Sequence, residues 1–196
     1  EQAISEYRHY IKTDTQNSWV YAHLGDCLRE NGFFEEAIKN FDKALTIDDE
    51  YGWAYAQLGL LYSQIEEFAR ALKDIMKAEE FLPEDEWLFA MKGELLRELG
   101  KFNEAITEFN KAIKIKSDYV WAIDNRGSKY IELDQFAKGF LDLDHALEID
   151  KNYAWAFYSK GEGYRKQNLT EKALQAYQDA LEILPEYPWV FSARGQ

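Results

Sequence analysis

The residues best equipped for chemistry are dispersed rather than gathered. His9, His23 and His145 lie far apart along the chain, so no histidine pair has the spacing of a metal-ligand set. Cys27 is the only cysteine, which excludes an internal disulfide and a cysteine-rich metal cluster and reads as a packing thiol. No Gly-rich loop ends in Lys-Ser or Lys-Thr, so that type of phosphate cradle is missing. Asp48-Asp49-Glu50 is an acidic turn without the alternating ligands and central glycine of a calcium loop. Asp142 and Asp144 are two residues apart and point to different faces if the segment is helical. These residues imply no catalysis, no metal and no cofactor, and place function in a surface. The side chains with most to offer a surface are the tryptophans. They stand at Trp19, Trp53, Trp87, Trp121, Trp155 and Trp189, one every 34 residues.

A period of that length is the mark of stacked supersecondary units, each touching only its neighbours. Placing the glycine of each Leu/Lys/Arg-Gly pair at position 8 gives full units 18–51, 52–85, 86–119, 120–153 and 154–187. A half unit, 1–17, precedes them and a partial unit, 188–196, follows, so the whole chain reads as one array. Position 8 is Gly25, Gly59, Gly93, Gly127 and Gly161. Position 20 is Ala37, Ala71, Ala105, Gly139 and Ala173, and position 27 is Ala44, Ala78, Ala112, Ala146 and Ala180. Side chains this small let two helices approach closely. Larger apolar residues recur at position 4 (Tyr21, Tyr55, Phe89, Ile123, Phe157), at position 24 (Phe41, Ile75, Phe109, Leu143, Tyr177) and at position 30 (Ile47, Phe81, Ile115, Ile149, Ile183). Positions 4, 7, 8 and 11 share one helical face, and 17, 20, 21, 24, 27 and 28 share a face of a second helix. Gly32, Gly100 and Asn168 supply turn chemistry near position 15. Each unit is therefore expected to be a hairpin of helices A and B. Three prolines in the whole chain, and many Ala, Leu, Glu and Lys, agree with an all-α protein.

The run Tyr21-x-x-Leu24-Gly25, then Ala37-x-x-x-Phe41, then Ala44, resembles the tetratricopeptide repeat (TPR). The resemblance extends over five full units and a part unit at each end. It implies an α-solenoid of helix-turn-helix units wound into a right-handed superhelix, whose A helices line a concave groove. Two departures stand out. The family's proline at position 32 survives only at Pro83 and Pro185, and its tryptophan at position 4 is replaced by one at position 2. Some TPR domains hold acidic chaperone tails in a carboxylate clamp of Lys, Asn and Arg. Here position 5 is Ala22, Ala56, Ala90, Asp124 and Tyr158, and Asn125 at position 6 stands alone, so the resemblance gives no basis for that ligand.

At 100° per residue, positions 4, 7, 8 and 11 fall roughly 140–240° from position 2, and positions 5, 6, 9, 12 and 13 within about 80° of it. The indoles thus project away from their own hairpin core, on the stripe that leads into the groove. Two roles follow. In one, Trp53, Trp87, Trp121 and Trp155 form an aromatic ladder along the groove, about 10 Å apart. In the other, each pairs with the tyrosine at position 34 (Tyr51, Tyr119, Tyr153 or Tyr187) and packs on the neighbouring unit, where burial contributes about 2–3 kcal/mol. One indole can serve both roles.

A weaker period of two units overlies the first. Position 9 reads Asp26, Leu60, Glu94, Ser128, Glu162, and position 12 reads Arg29, Ser63, Arg97, Ile131, Arg165. Asp26–Arg29, Glu94–Arg97 and Glu162–Arg165 read either as local helix ion pairs or as polar stations for an extended peptide. With Asn125 and Tyr158 they complete the candidate groove set.

Formal net charge is −13 with a pI near 4.7. Such a chain disfavours nucleic acid and anionic membranes as partners, and no stretch of about 18 apolar residues is present. A mildly acidic, aromatic groove fits a neutral or basic protein or peptide. The expected function is a non-catalytic interaction scaffold. The alternatives are a regulatory or substrate-docking segment of a larger enzyme and a self-associating structural module. The chain begins and ends inside repeats with no polar capping helix, which suggests a piece of a longer array and end-to-end self-association. No signal-peptide layout is seen, and a single cysteine suits a reducing compartment, so the expected location is cytoplasmic.

Overall fold

The computed structural model describes residues 2–185. Eleven helices and no strand are found among them. They are α1 (Gln2–Thr13), α2 (Ser18–Glu30), α3 (Phe34–Ile47), α4 (Gly52–Gln64), α5 (Phe68–Phe81), α6 (Glu86–Glu98), α7 (Phe102–Ile115), α8 (Val120–Glu132), α9 (Phe136–Ile149), α10 (Ala154–Lys166) and α11 (Thr170–Ile183). Every A helix occupies positions 1–13 of its repeat, and every B helix from α3 onward occupies positions 17–30. The expected partial unit 188–196, with Trp189, and Tyr187 before it lie outside the described residues. The chain divides into two compact units, Glu1–Lys101 with α1–α6 and Phe102–Gln196 with α7–α11.

The turn that ends each A helix is the same five times over. In α2 the N–H of Gly32 donates to the carbonyl of Arg29 at 3.0 Å, and that of Phe33 to Leu28 at 2.9 Å. The same two bonds recur at Glu66 and Glu67, Gly100 and Lys101, Asp134 and Gln135, and Asn168 and Leu169. This is the Schellman closure, which satisfies the last carbonyls of a helix and needs a left-handed residue at its first external position. Gly32 (φ 80°) and Gly100 (φ 73°) accept that backbone without strain, as the sequence suggests. Glu66 (φ 62°) and Asp134 (φ 59°) adopt it as well, although their side chains give no turn signal as strong as glycine's. Position 34 has two uses. Asn17 and Asp85 cap α2 and α6 by accepting from the Val20 and Leu88 N–H groups, whereas Tyr51, Tyr119 and Tyr153 make no side-chain cap.

The small residues do what their spacing implies. A Cβ added at Gly25 would sit 3.2 Å from the Ala37 carbonyl, one at Gly59 3.2 Å from that of Ala71, and one at Gly127 3.0 Å from that of Gly139. Helices A and B of a hairpin thus cross in near backbone contact at positions 8 and 20. Phe41, Ile75, Leu143 and Tyr177, all at position 24, fill the space beside that crossing and are fully buried.

Two expectations about faces need correction. The pattern at position 30 implies packing throughout, yet Ile115 and Ile149 are exposed. Helical geometry puts position 5 on the groove stripe, yet Ala22, Ala56, Ala90 and Asp124 are buried. The reason lies in the number of neighbours an A helix has. In the first unit α4 packs on its own B helix α5, on the preceding B helix α3, and on the preceding A helix α2. Position 3 (Val20, Ala54, Leu88, Ala122, Ala156) is accordingly buried in all five repeats. Ala54 shares a cluster with Ala44, Leu88 with Ala78, and Ala156 with Ala146 at position 27 of the preceding unit. Ala22 clusters with Ala54 and Leu58 of the following A helix, and Ala56 with Leu88 and Met91 of α6. A helix packed on three sides keeps only a narrow open strip.

Candidate functional site

The position 2 indoles sit in the first turn of each A helix, at the edge of that strip. In the first unit Trp53 lies 5.9 Å from Tyr51 and 4.5 Å from His23, on the preceding A helix. Trp87 packs against the cluster of Ala56, Ala71, Ile75 and Leu95. In the second unit Trp121 stands 5.9 Å from Tyr119 and edge-on to Phe109 at 6.5 Å. Trp53, Trp87 and Trp121 are half-buried, while Trp19 and Trp155 are 52% and 45% exposed. The tyrosine-tryptophan pairing is present at Trp53 and Trp121, and contact with a neighbouring repeat is present at Trp53, Trp87 and Trp121.

The three ion pairs share one geometry. Arg29 Nε and Nη2 donate to Asp26 Oδ1 at 3.1 and 2.7 Å. Arg97 donates through Nε and Nη2 to the two oxygens of Glu94 at 3.0 and 2.6 Å, and also reaches Glu98. Arg165 donates to Glu162 at 3.3 and 2.7 Å. Each guanidinium is therefore held by a carboxylate one turn back on its own helix, which is the local ion pair of the sequence reading. Glu162 also accepts from the Tyr177 hydroxyl, which rises well above its ordinary value through burial and that bond. Tyr158 lies 5.9 Å from Tyr177, and burial, then the Glu162 charge, raises its hydroxyl too. Tyr158, Glu162, Arg165 and Tyr177 thus form one polar-aromatic group, which links α10 to α11. Asn125 turns back on its own helix: its Nδ2 donates to the Trp121 carbonyl at 2.9 Å.

Several polar residues missed as a group tie one repeat to the next. Position 7 changes from buried Leu24 and Leu58 to Lys92, Arg126 and Lys160. Lys92 pairs with Glu79 at 2.6 Å, and Lys160 with Asp144 at 2.7 Å, each on the preceding B helix. Arg126 makes a two-pronged bond to Asp142 at 2.7 Å while Nη1 reaches Asn110 at 2.7 Å. Lys166, at position 13, donates to the Ile131 and Glu132 carbonyls at 3.0 and 2.9 Å, capping the negative end of α8. The signal available in the sequence is the break in apolar character at position 7, which only a neighbouring carboxylate explains.

The arrangement offers aromatic edges and fixed ion pairs, and among the described residues no His, Cys, Asp and Glu side chains gather as a metal site. None of the helices described is long and apolar enough to cross a membrane.

Comparison with known proteins agrees with this architecture. Tetratricopeptide-repeat family profiles match residues 14–84 and residues 93–134. No curated protein sequence matches. Among solved structures the chain is similar to YrrB, a TPR protein with an unusual peptide-binding site, at 24% identity, a TM-score of 0.75, and coverage of 97% of this chain and 98% of that one. It is similar to a chain of the APC/C hetero-tetramer Cut9-Hcn1 at 15% identity and a TM-score of 0.82, covering 98% of this chain but 38% of the other. It also resembles a thermophilic TPR protein of Thermus thermophilus at 19% identity and a TM-score of 0.71, covering 90% of this chain and 96% of that one. At these identities the likeness is one of fold. Five repeats in identical register, the shared Schellman closures, the close crossings at positions 8 and 20 and the two profile matches lead to one conclusion: the chain is a member of the tetratricopeptide-repeat family, whose members bind protein or peptide partners.

Proposed function

We propose that this protein is a non-catalytic scaffold that holds an extended peptide or a helix of a neutral or basic partner on its A-helix strip. The observation that carries the reading is the state of the position 2 indoles. Trp53, Trp87 and Trp121 are braced at repeat junctions, and Trp19 and Trp155 are exposed. Rigid aromatic anchors of that kind supply contact area at little conformational cost, and they dominate many interfaces. The ion pairs at positions 9 and 12 lie further along the same helices. Their carboxylates and guanidinium edges suit the repeating amides of an extended chain. The peptide-binding site of YrrB, a protein of the same fold, supports the reading by analogy.

The test uses peptides selected from a random library against the intact chain. Trp87→Ala and Trp121→Ala are each expected to weaken binding of a selected peptide by about tenfold or more, while costing about 1–2 kcal/mol of stability. A large loss of stability with affinity per folded molecule unchanged would assign the indoles to the junctions alone and overturn the proposal.

A further inference from the structure

The polar contacts between successive B helices follow a rule that the first junction breaks. Position 7 of a repeat lies between position 23 of its own B helix and position 25 of the preceding one. Arg126 shows this directly, reaching Asp142 at position 23 and Asn110 at position 25, each at 2.7 Å. Lys160 reaches Asp144, at position 25, at 2.7 Å as well. In the order 25, 7, 23, the junction of the second and third repeats reads Met76, Lys92, Glu108. The next two read Asn110, Arg126, Asp142 and Asp144, Lys160, Ala176. Each of these sets holds one acid and one base. The junction of the first and second repeats reads Asp42, Leu58, Asp74, with two acids and no base. Leu58 is buried in the apolar cluster, so position 7 brings no cation to this pair.

Asp42 on α3 and Asp74 on α5 act on the same surroundings. The Tyr62 hydroxyl, from α4, is raised by burial and then by Asp42, with Asp74 adding to the rise. Burial raises the Asp74 carboxyl to about 6, and Asp42 adds to that rise. Burial raises Asp42 too. The cations that act on Asp74 are Lys73 and Arg70 of its own helix, and they oppose the rise without cancelling it. Arg70 is held by Glu67 at 2.9 Å and lies over the Tyr62 ring. Two partly desolvated carboxylates across a junction hold a proton that either alone in water would release.

We propose that Asp42 and Asp74 form a pH-operated latch between the first two repeats. One proton on the pair removes the repulsion and lets α3 and α5 stand closer. With both carboxylates ionised, like charges press the two B helices apart. The folded junction binds that proton more tightly than the unfolded chain does. Its contribution to stability is therefore complete below about pH 4 and is lost as pH rises through about 6. The first two repeats are thus held more firmly in mild acid and more loosely at neutral pH. Junctions with a base at position 7 carry no such repulsion. In a stack of repeats each junction contributes its own stability, so the effect stays local to this one. The latch is separate from the A-helix strip, and peptide binding plays no part in its test.

The experiment follows the two side-chain carboxyl carbons by NMR in the whole chain from about pH 4 to about pH 8. Asp74 should titrate well above the ordinary aspartate range, and Asp42→Asn should bring it clearly back toward that range. Leu58→Lys, which places a base at position 7 as in the three later repeats, should do the same. Hydrogen exchange reads the consequence for the junction. After correction for the intrinsic rate, amide protection in α3 and α5 should fall about tenfold between about pH 5.5 and about pH 7.5. The double variant Asp42→Asn/Asp74→Asn should show no such fall. An Asp74 titration that ignores Asp42→Asn leaves burial as its cause and overturns the latch. A fall in protection that persists in the double variant overturns it too, because His23 at the same junction, or another group, then carries the effect. If Leu58→Lys does not fold, the asparagine variants decide the question.

Discussion

Single residues in this fold are controlled by how little room a three-sided neighbourhood leaves them. Gly161 is the clearest case. A Cβ there would meet the Tyr177 ring at 2.3 and 2.5 Å, and that ring is held by its hydroxyl bond to Glu162 and its contact with Tyr158. Gly25, at the same repeat position, has 3.2 Å to its nearest neighbours. Gly161→Ala should therefore cost about 1–3 kcal/mol despite alanine's better helix propensity, while Gly25→Ala stays near neutral. Denaturant midpoints of the two variants compare them directly, and equal losses would contradict the packing argument. Asp74 shows the same confinement acting on charge. Burial pushes its carboxyl from 3.8 up to about 6, with Asp42 adding to the rise and Lys73 opposing it. The folded state holds that proton more tightly than the unfolded chain. Its contribution to stability is thus complete at pH below about 4 and lost as pH rises through about 6. Asp74→Asn should raise stability at neutral pH by about 1 kcal/mol, discounted for its partial exposure, and remove that slope from the pH dependence. An unchanged slope in the variant would show that another group carries it.

Among the elements, the A-helix closure recurs without variation, although its sequence varies. Five helices end in a left-handed residue at position 15, and a glycine supplies it twice. Asp134 and Asn168 belong to the types that tolerate this backbone, whereas Glu66 bears the full Cβ penalty. Glu66→Gly should stabilise the first unit by about 0.5–1 kcal/mol, as seen in a thermal melt, because the strain removed exceeds the added unfolded-state freedom. A destabilised variant would mean that the Glu66 side chain contributes more than its backbone costs. Gly32 and Gly100 make the turn legible in the sequence. Glu66 and Asp134 do not, since the two Schellman bonds that enforce the angle are backbone bonds. The pair of helices in each repeat is legible, because a fixed 34-residue period aligns five weak patterns into one.

For the molecule as a whole, charge is the dominant long-range property. A net −13 spread over 196 residues repels itself, and the many ion pairs within and between helices offset only part of this. Raising salt from about 0.05 M to about 0.5 M should screen the repulsion and lift the melting temperature by a few degrees. A fall on adding salt would mean that the ion pairs outweigh the net charge.

The amino-acid sequence alone determined the repeat units, the hairpin of each repeat, the close crossings of Gly25 on Ala37 and Gly59 on Ala71, and the 34-residue spacing of the indoles. All of these are local, set within one repeat by small residues, turns and helical periodicity. Which side of an A helix stays open was decided only by tertiary structure. Positions 3 and 5 look no different from groove residues until helices before and after are in place, and then Val20, Ala54, Ala22 and Ala56 are covered. The same neighbours brace Trp53 against His23 and turn Lys166 onto the end of α8. Helical periodicity specifies which residues share a face, and only packing against other helices specifies which faces remain for a partner.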